Sequence, residues 1–381
     1  MNSRKKLTIC LFSVFAVLFT INQSVSAQTQ QCSGSFSVEQ RFPVDTSLAE
    51  ETRWRFCFQR VSRNGLVINA ASFRKSPGSP WVQVIYDARV IELFVPYHSG
   101  SPRFLDMSSF NFSLFQLSNK HCPRAHGGTL LDNNHVCKEV HDRGLAWTNY
   151  NQVRRGEEVV LWGGIGAGNY NYIIEWTFRD DGVLLGRVGA TATNYPPQPL
   201  ETHMHGIFWR LDIDLNGAGS DSVGLVSHRE SLFALGLTAS DSTQMISSEG
   251  RREWVASAFT NLNIHDATLR NRQNHQSGYH LIPLQTGTPR HQESFTKSDF
   301  WVTRYNFSEM HVPSLPTYIS PAQSVSNSDV VVWYYSAAHH TPRDEDGRHV
   351  NNQFQPTVAQ VMWTGFMLKP HDLFDQTPLY P

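Results

Sequence analysis

His203-Met204-His205-Gly206-Ile207-Phe208-Trp209-Arg210-Leu211-Asp212-Ile213-Asp214 is the stretch on which the fold turns. From Gly206 to Leu215 it is largely apolar and reads as a strand, in which alternate side chains share a face. If the strand opens at its first residue, the imidazoles of His203 and His205 point the same way and can meet one ion. A third histidine would complete a nitrogen-ligand site of the copper or zinc kind. His339 and His340 close another apolar run, Val330 to Ala338, and either could supply it. With 17 histidines in the chain, a His-x-His pair is a weak signal by itself.

Similar segments recur outward from this stretch. Residues 81–86, 90–95, 159–162, 172–178, 183–188, 279–284, 300–305, 330–335 and 361–368 are rich in β-branched and aromatic residues. Most are bounded by Gly, Pro, Asn or Asp, the usual strand boundaries. Only 230–237 and 252–259 tempt a helical reading, and neither is long. Aromatics make up 12 % of the chain, which suits a large packed β core. The pattern predicts a mainly β protein, an antiparallel β-sandwich. Residues 314–328, rich in Ser and Pro, read as a long loop.

The N-terminus reads as a targeting segment over 1–27. Arg4, Lys5 and Lys6 precede an apolar stretch from Leu7 to Ile21, and Val25-Ser26-Ala27 supplies small residues for cleavage. That stretch is short for a membrane span, which needs about 20 apolar residues. The expectation is a secreted or periplasmic protein, with a loose segment at 28–49 and one domain over 50–381. Of 32 basic side chains, Arg4, Lys5 and Lys6 leave with the signal, so 29 face 33 acidic ones and the mature charge is −4. A nucleic-acid partner would call for a basic field instead. Cys10 leaves too, and an even count in an exported chain suggests disulfides. The turn residues Gly127-Gly128 and Asn133-Asn134 favour pairing Cys122 with Cys137; Cys32 with Cys57 follows by elimination.

Several segments, in order, resemble one family, the copper/topaquinone amine oxidases. Gly168-Asn169-Tyr170-Asn171-Tyr172, followed by Ile173-Ile174-Glu175-Trp176, is similar to the motif carrying that family's cofactor tyrosine. His203-Met204-His205 with Leu211-Asp212-Ile213-Asp214 resembles its copper strand. Trp301-Val302-Thr303-Arg304-Tyr305 is similar to a further strand. His340-Thr341-Pro342-Arg343-Asp344-Glu345-Asp346 resembles the segment of the third copper histidine, and Gly365-Phe366-Met367-Leu368-Lys369-Pro370 the C-terminal segment.

The resemblance implies a copper(II) site at His203, His205 and His340, and topaquinone made from Tyr170. It implies a catalytic base at Asp106, an aromatic gate at Phe104, and active-site roles for Tyr97 (in Val95-Pro96-Tyr97) and Asn169. It implies a peripheral calcium site at Asp212, Asp214 and Asp329, supports the Cys122–Cys137 disulfide, and implies a homodimer. The small domains that precede the family's catalytic domain are expected to be missing, leaving a catalytic core. The expected function is oxidation of a primary amine by dioxygen to aldehyde, ammonia and hydrogen peroxide. A quinone carbonyl is an electrophile for the amine, and a desolvated aspartate can take the α-proton. Three departures stand against it: Asn171 replaces an acid, residues 107–113 lose a glycine-rich acidic stretch, and Gly347-Arg348-His349-Val350 replaces a proline-rich tail. They keep open a mononuclear copper oxygenase without topaquinone, or a non-catalytic copper binder.

Overall fold

The computed structural model describes Cys32 and residues 36–42, 51–230, 238–255, 258–285 and 288–379. The expected signal at 1–27 and most of the tempting window 230–237 lie outside the described residues. The first strands are β1 (Phe36–Phe42), β2 (Thr52–Val61), β3 (Gly65–Arg74), β4 (Val82–Pro96) and β5 (Arg103–Leu105), followed by a single turn, α1 (Asp106–Ser109). Next come β6 (Thr129–Leu131), β7 (Val136–Asn149), β8 (Gln152–Ala167), β9 (Tyr170–Arg179), β10 (Leu184–Ala192) and β11 (His203–Asp212). They are followed by β12 (Asp221–Arg229), β13 (Ser240–Ile246), β14 (Gly250–Arg252), β15 (Phe259–Arg270), β16 (Gln276–Pro283) and β17 (Phe300–Arg304). The chain closes with α2 (Leu315–Tyr318), β18 (Val330–His340), β19 (Gly347–Val350), β20 (Gln353–Pro356) and β21 (Ala359–His371).

Two large antiparallel sheets form a sandwich, as the sequence pattern predicts. One runs β1-β2-β3-β4-β11-β18-β17-β14 with β5 on β4, the other β13-β12-β15-β16-β21-β10-β9-β8-β7-β6. Aromatic side chains of the two inner faces meet between them. Phe56 of β2 stacks on Phe178 of β9 at 3.9 Å, and Trp209 of β11 meets Trp176 of β9 and Phe366 of β21 edge-on. Trp54 Nε1 donates to the Arg179 carbonyl and Trp176 Nε1 to the Leu66 carbonyl, so the buried indoles keep their hydrogen bonds across the gap.

β11 is buried along its whole length, for a reason visible in its partners. Ile207, Trp209 and Leu211 face the inter-sheet core, while Met204 and Phe208 face a second cluster with Phe94, Phe295, Leu315 and Tyr335 on the outer side. A strand covered on both faces needs no polar alternation, and each such large side chain is worth roughly 1.5–3 kcal/mol when fully buried.

The structure corrects several expectations. Residues 36–42, inside the segment expected to be loose, form β1, in register with β2 from Phe36↔Phe58 to Phe42↔Thr52. Val38 and Phe42 are buried there, and Cys32 is bonded to Cys57 on β2. The expected strands 81–86 and 90–95 are one strand, β4. The window 252–259 is not helical where described: Arg252 ends β14 and Phe259 opens β15. Cys122 and Cys137 are bonded as expected.

Candidate active site

The site sits between the sheets, where β11 and β18 of one face β9 of the other. β11 and β18 pair antiparallel with His203 opposite His340, so the start of one strand and the end of the other bring three imidazoles together. One nitrogen from each of His203, His205 and His340 lies within 4.8 Å of the others, and all three residues are buried. Their remaining nitrogens are held. His203 Nδ1 donates to the Glu201 carbonyl at 2.9 Å, His205 Nδ1 lies 3.0 Å from Tyr172 Oη, and His340 Nε2 donates to Asp346 Oδ2 at 3.2 Å.

That leaves His203 Nε2, His205 Nε2 and His340 Nδ1 as the inward set. His205 Nε2 is buried without a hydrogen-bond partner. Burial lowers all three imidazoles, His203 to about 4 and His205 well below its ordinary value, so each stays neutral with a lone pair free. Three neutral imidazoles with their far nitrogens held by partners are a donor set that fits copper. His339, the alternative third ligand, points away and is exposed, stacked on His98.

Tyr170 opens β9 beside this set. Its Oη lies 3.0 Å from His340 Nδ1, donates to Asn194 Oδ1 at 3.3 Å, and its ring centroid is 4.6 Å from that of His205. Asn194 is itself held, donating from Nδ2 to the Pro199 carbonyl. Burial raises the Tyr170 hydroxyl above its ordinary range, so an anion there needs a nearby cation. Tyr97, just past β4, stacks flat on His203 at 4.3 Å.

Asp106 begins α1, and buried Glu92 fixes that turn by accepting from the backbone N–H groups of Met107, Ser108 and Leu93. Asp106 is pushed up to about 7, chiefly by burial and further by the Glu92 charge, while the bond from Tyr172 opposes the shift. A carboxyl poised near neutrality inside a cavity is suited to proton transfer. The cavity, about 400 Å³, is walled by Tyr97, Phe104, Phe110, Phe112 and Tyr195, with Tyr170 and Tyr172 at its base. Among the described residues Asp106 is the one charged side chain lining it, and Asn169 lines it as well.

The sequence thus brings Asp106, Tyr97, Phe104, Asn169, Tyr170, His203, His205 and His340 to one place. It misses Glu92, Tyr172, Asn194, Tyr195 and Asp346. Two of these had a signal: Glu92 interrupts an apolar strand, and Tyr172 stands two residues beyond Tyr170 on the same face.

A second cluster lies at the other end of β11 and β18. One oxygen from each of Asp212, Asp214 and Asp329 falls within 4.8 Å of the others. Asp221 joins them electrostatically, and oxygens of all four are buried without hydrogen-bond partners. Burial and the neighbouring carboxylates push Asp212 and Asp221 up to about 9 and Asp214 to about 7. Such an oxygen-rich group fits a hard cation such as calcium.

Comparison with known proteins agrees with this geometry. The family model described as "Copper amine oxidase, enzyme domain" matches residues 200–380. Over those residues the chain is similar to the copper amine oxidase enzyme domain. It is 25 % identical to a copper-containing amine oxidase, gamma 2, of Arabidopsis thaliana over 91 % of this chain and 60 % of that protein. It is 21 % identical to the primary amine oxidase of Pisum sativum over 89 % of this chain and 60 % of that one. The chain therefore spans about 60 % of the length of these relatives. The fold matches the crystal structure of a copper-containing benzylamine oxidase from Hansenula polymorpha with TM-score 0.67 at 18 % identity, over 86 % of this chain and 60 % of that one.

Proposed function

We propose that this protein is a copper-dependent primary-amine oxidase, releasing aldehyde, ammonia and hydrogen peroxide from an amine, water and dioxygen. The observation that carries the reading is the placement of Tyr170 Oη, 3.0 Å from a nitrogen of the three-histidine set and in the same cavity as Asp106. His203, His205 and His340 would hold copper(II), which with dioxygen would turn the Tyr170 ring into the quinone that accepts the electrons of the amine. Asn194 and His340 fix where the Tyr170 hydroxyl sits. Asp106, ionised, takes the proton from the carbon beside the nitrogen and holds it in a cavity lined by aromatic rings. General-base catalysis of this kind contributes about 10²–10⁴ in rate.

The cavity also supports a substrate class. Aromatic walls and a single carboxylate suit a monoamine with an aryl or alkyl tail, its ammonium attracted by ring faces on entry. A second ammonium would find no acidic partner besides Asp106 among the described lining residues. Calcium at Asp212, Asp214 and Asp329, pairing of two copies, and export directed by residues 1–27 complete the proposal. No helix among the described residues is long and apolar enough to cross a membrane.

The test is phenylhydrazine titration of the copper-loaded, oxygen-exposed protein, read by visible absorbance and by peptide mass at Tyr170. A coloured adduct on the Tyr170 peptide is the expected result. Bound copper with an unmodified Tyr170 would sink the oxidase mechanism and favour the oxygenase or binding readings.

A further inference from the structure

Tyr172 is fully buried, and its hydroxyl stands between the two halves of the site, 3.1 Å from Asp106 Oδ2 and 3.0 Å from His205 Nδ1. We infer that Tyr172 is a positioning residue that sets the base Asp106 and the copper ligand His205 with one hydroxyl. The role given to Asp106 rests on the amine-oxidase reading; the role given to His205 needs only a metal at the three histidines.

A phenol carries one proton, and an ionised carboxylate can only accept. With Asp106 ionised, Tyr172 therefore donates to Oδ2 and must accept at its oxygen from His205 Nδ1–H. That fixes the imidazole in the tautomer whose Nε2 carries a lone pair, the buried nitrogen left without a partner. The orientation of the second contact is thus dictated by the first. A phenylalanine at 172 leaves the two tautomers of His205 to compete, and the one protonated on Nε2 cannot ligate. It also frees the Asp106 carboxylate to swing on its short side chain. Sequence places Tyr172 for this task, since it shares the inward face of β9 with Tyr170.

The experiment is titration of the copper-free full-length protein with copper(II) against a competing chelator. Tyr172→Phe should weaken copper about 10–100-fold, the usual effect of losing the partner of a ligating histidine. Tyr279→Phe is the control: it too removes a fully buried hydroxyl, one bonded to the Gly182 carbonyl, and should leave copper affinity unchanged. Asp106→Leu should also weaken copper, although Asp106 is no ligand, and this effect should vanish in the Tyr172→Phe background. Copper bound by Tyr172→Phe as tightly as by the native protein overturns the inference. Equal weakening by Tyr279→Phe, or an Asp106→Leu effect that persists in the Tyr172→Phe background, also overturns it by pointing to general loosening or a direct charge effect. If Tyr172→Phe and Asp106→Leu behave as expected but the native protein oxidises no amine, the hydroxyl relay stands and the oxidase reading falls.

Discussion

β11 and β18 carry one candidate metal cluster at each end, separated by roughly 25–30 Å of strand at ~3.3 Å per residue. The ends differ in how they stand without an ion. At the histidine end, each imidazole has its far nitrogen bonded, to a carbonyl, a phenol and a carboxylate. Neutral rings do not repel, so that cluster is prepared in advance. At the other end, Asp212, Asp214, Asp221 and Asp329 leave buried oxygens unpaired; Arg210 lies 3.8 Å from Asp212 and 3.7 Å from Asp87, and Arg304 also acts on Asp329. Crowded carboxyls that hold their protons and have unmet hydrogen-bonding capacity are a cluster that a cation would complete. One pair of strands thus builds a histidine cluster prepared in advance and, on the proposed reading, a carboxylate site whose stability depends on its occupant.

The largest expected effect separates the two ends by chemistry. Asp106→Asn should lower kcat for amine oxidation about 10²–10⁴-fold. Asp329→Asn, at the carboxylate end, should leave kcat of the copper-loaded protein within about threefold, since the active site makes none of its contacts there. Steady-state kinetics on one monoamine decides the matter. A collapse of kcat in Asp329→Asn would mean that the ends are coupled through the strands and the comparison is wrong.

Stability separates them next. Calcium at about 100 times its Kd should stabilise the fold by about 2.7 kcal/mol. In chelator above about pH 9, where Asp221 is ionised, Asp221→Asn should raise Tm, because it removes a buried charge that its neighbours oppose; in calcium the same change should shrink the gain. At the histidine end His340→Ala should lower Tm with or without calcium, since it leaves a cavity and takes one of the hydrogen-bond partners of buried Asp346. Calorimetry with and without calcium reads all of these, and an Asp221→Asn protein that melts lower in chelator would show that the carboxylates are already satisfied.

A smaller effect sharpens the reading of the histidine end. Asp346 holds His340 Nε2 and is fully buried. Asp346→Asn should weaken copper about 10–100-fold without removing a ligand. Unchanged affinity in a chelator titration would make Asp346 a structural cap of its own turn, where it accepts from the Arg343 backbone N–H.

Both ends were legible in the sequence to different depths. His203 and His205 declared themselves by alternation on a strand, but the third ligand needed the register that sets His340 opposite His203. Strands missed in the sequence fall into two kinds. β2 carries Trp54, Phe56 and Phe58 inward between Arg53, Arg55 and Gln59, a period of two that could have been read. β7 is largely polar and partly exposed and β13 is polar and exposed except at Ile246, both held by neighbours in the sheet rather than by an apolar stripe, and single-chain pattern has little to say of them. Asn194 and Tyr195 come from an irregular Asn-Tyr-Pro-Pro segment, where nothing local marks a side chain as aimed at a distant tyrosine.

The last and smallest test concerns pH at the histidine end. Asp106 holds its proton up to about 7 in the fold, against about 3.9 for an aspartate in water. The base is competent only when ionised, so kcat should rise as pH climbs through about 7 and fall away below it. The sign for stability is opposite. The folded state binds the proton more tightly than the unfolded chain, so the contribution of Asp106 to stability is greatest below about 4 and is lost between about 4 and 7. Burial is the main cause of the shift, and the Glu92 carboxylate adds to it. Glu92→Gln keeps an acceptor for the α1 backbone but removes that charge, so it should move the acid limb of the kcat profile to lower pH. A limb that stays in place would mean that burial alone sets the proton affinity of Asp106. A limb that moves upward would mean that Glu92 is neutral in the fold and that Gln disturbs the turn carrying the base.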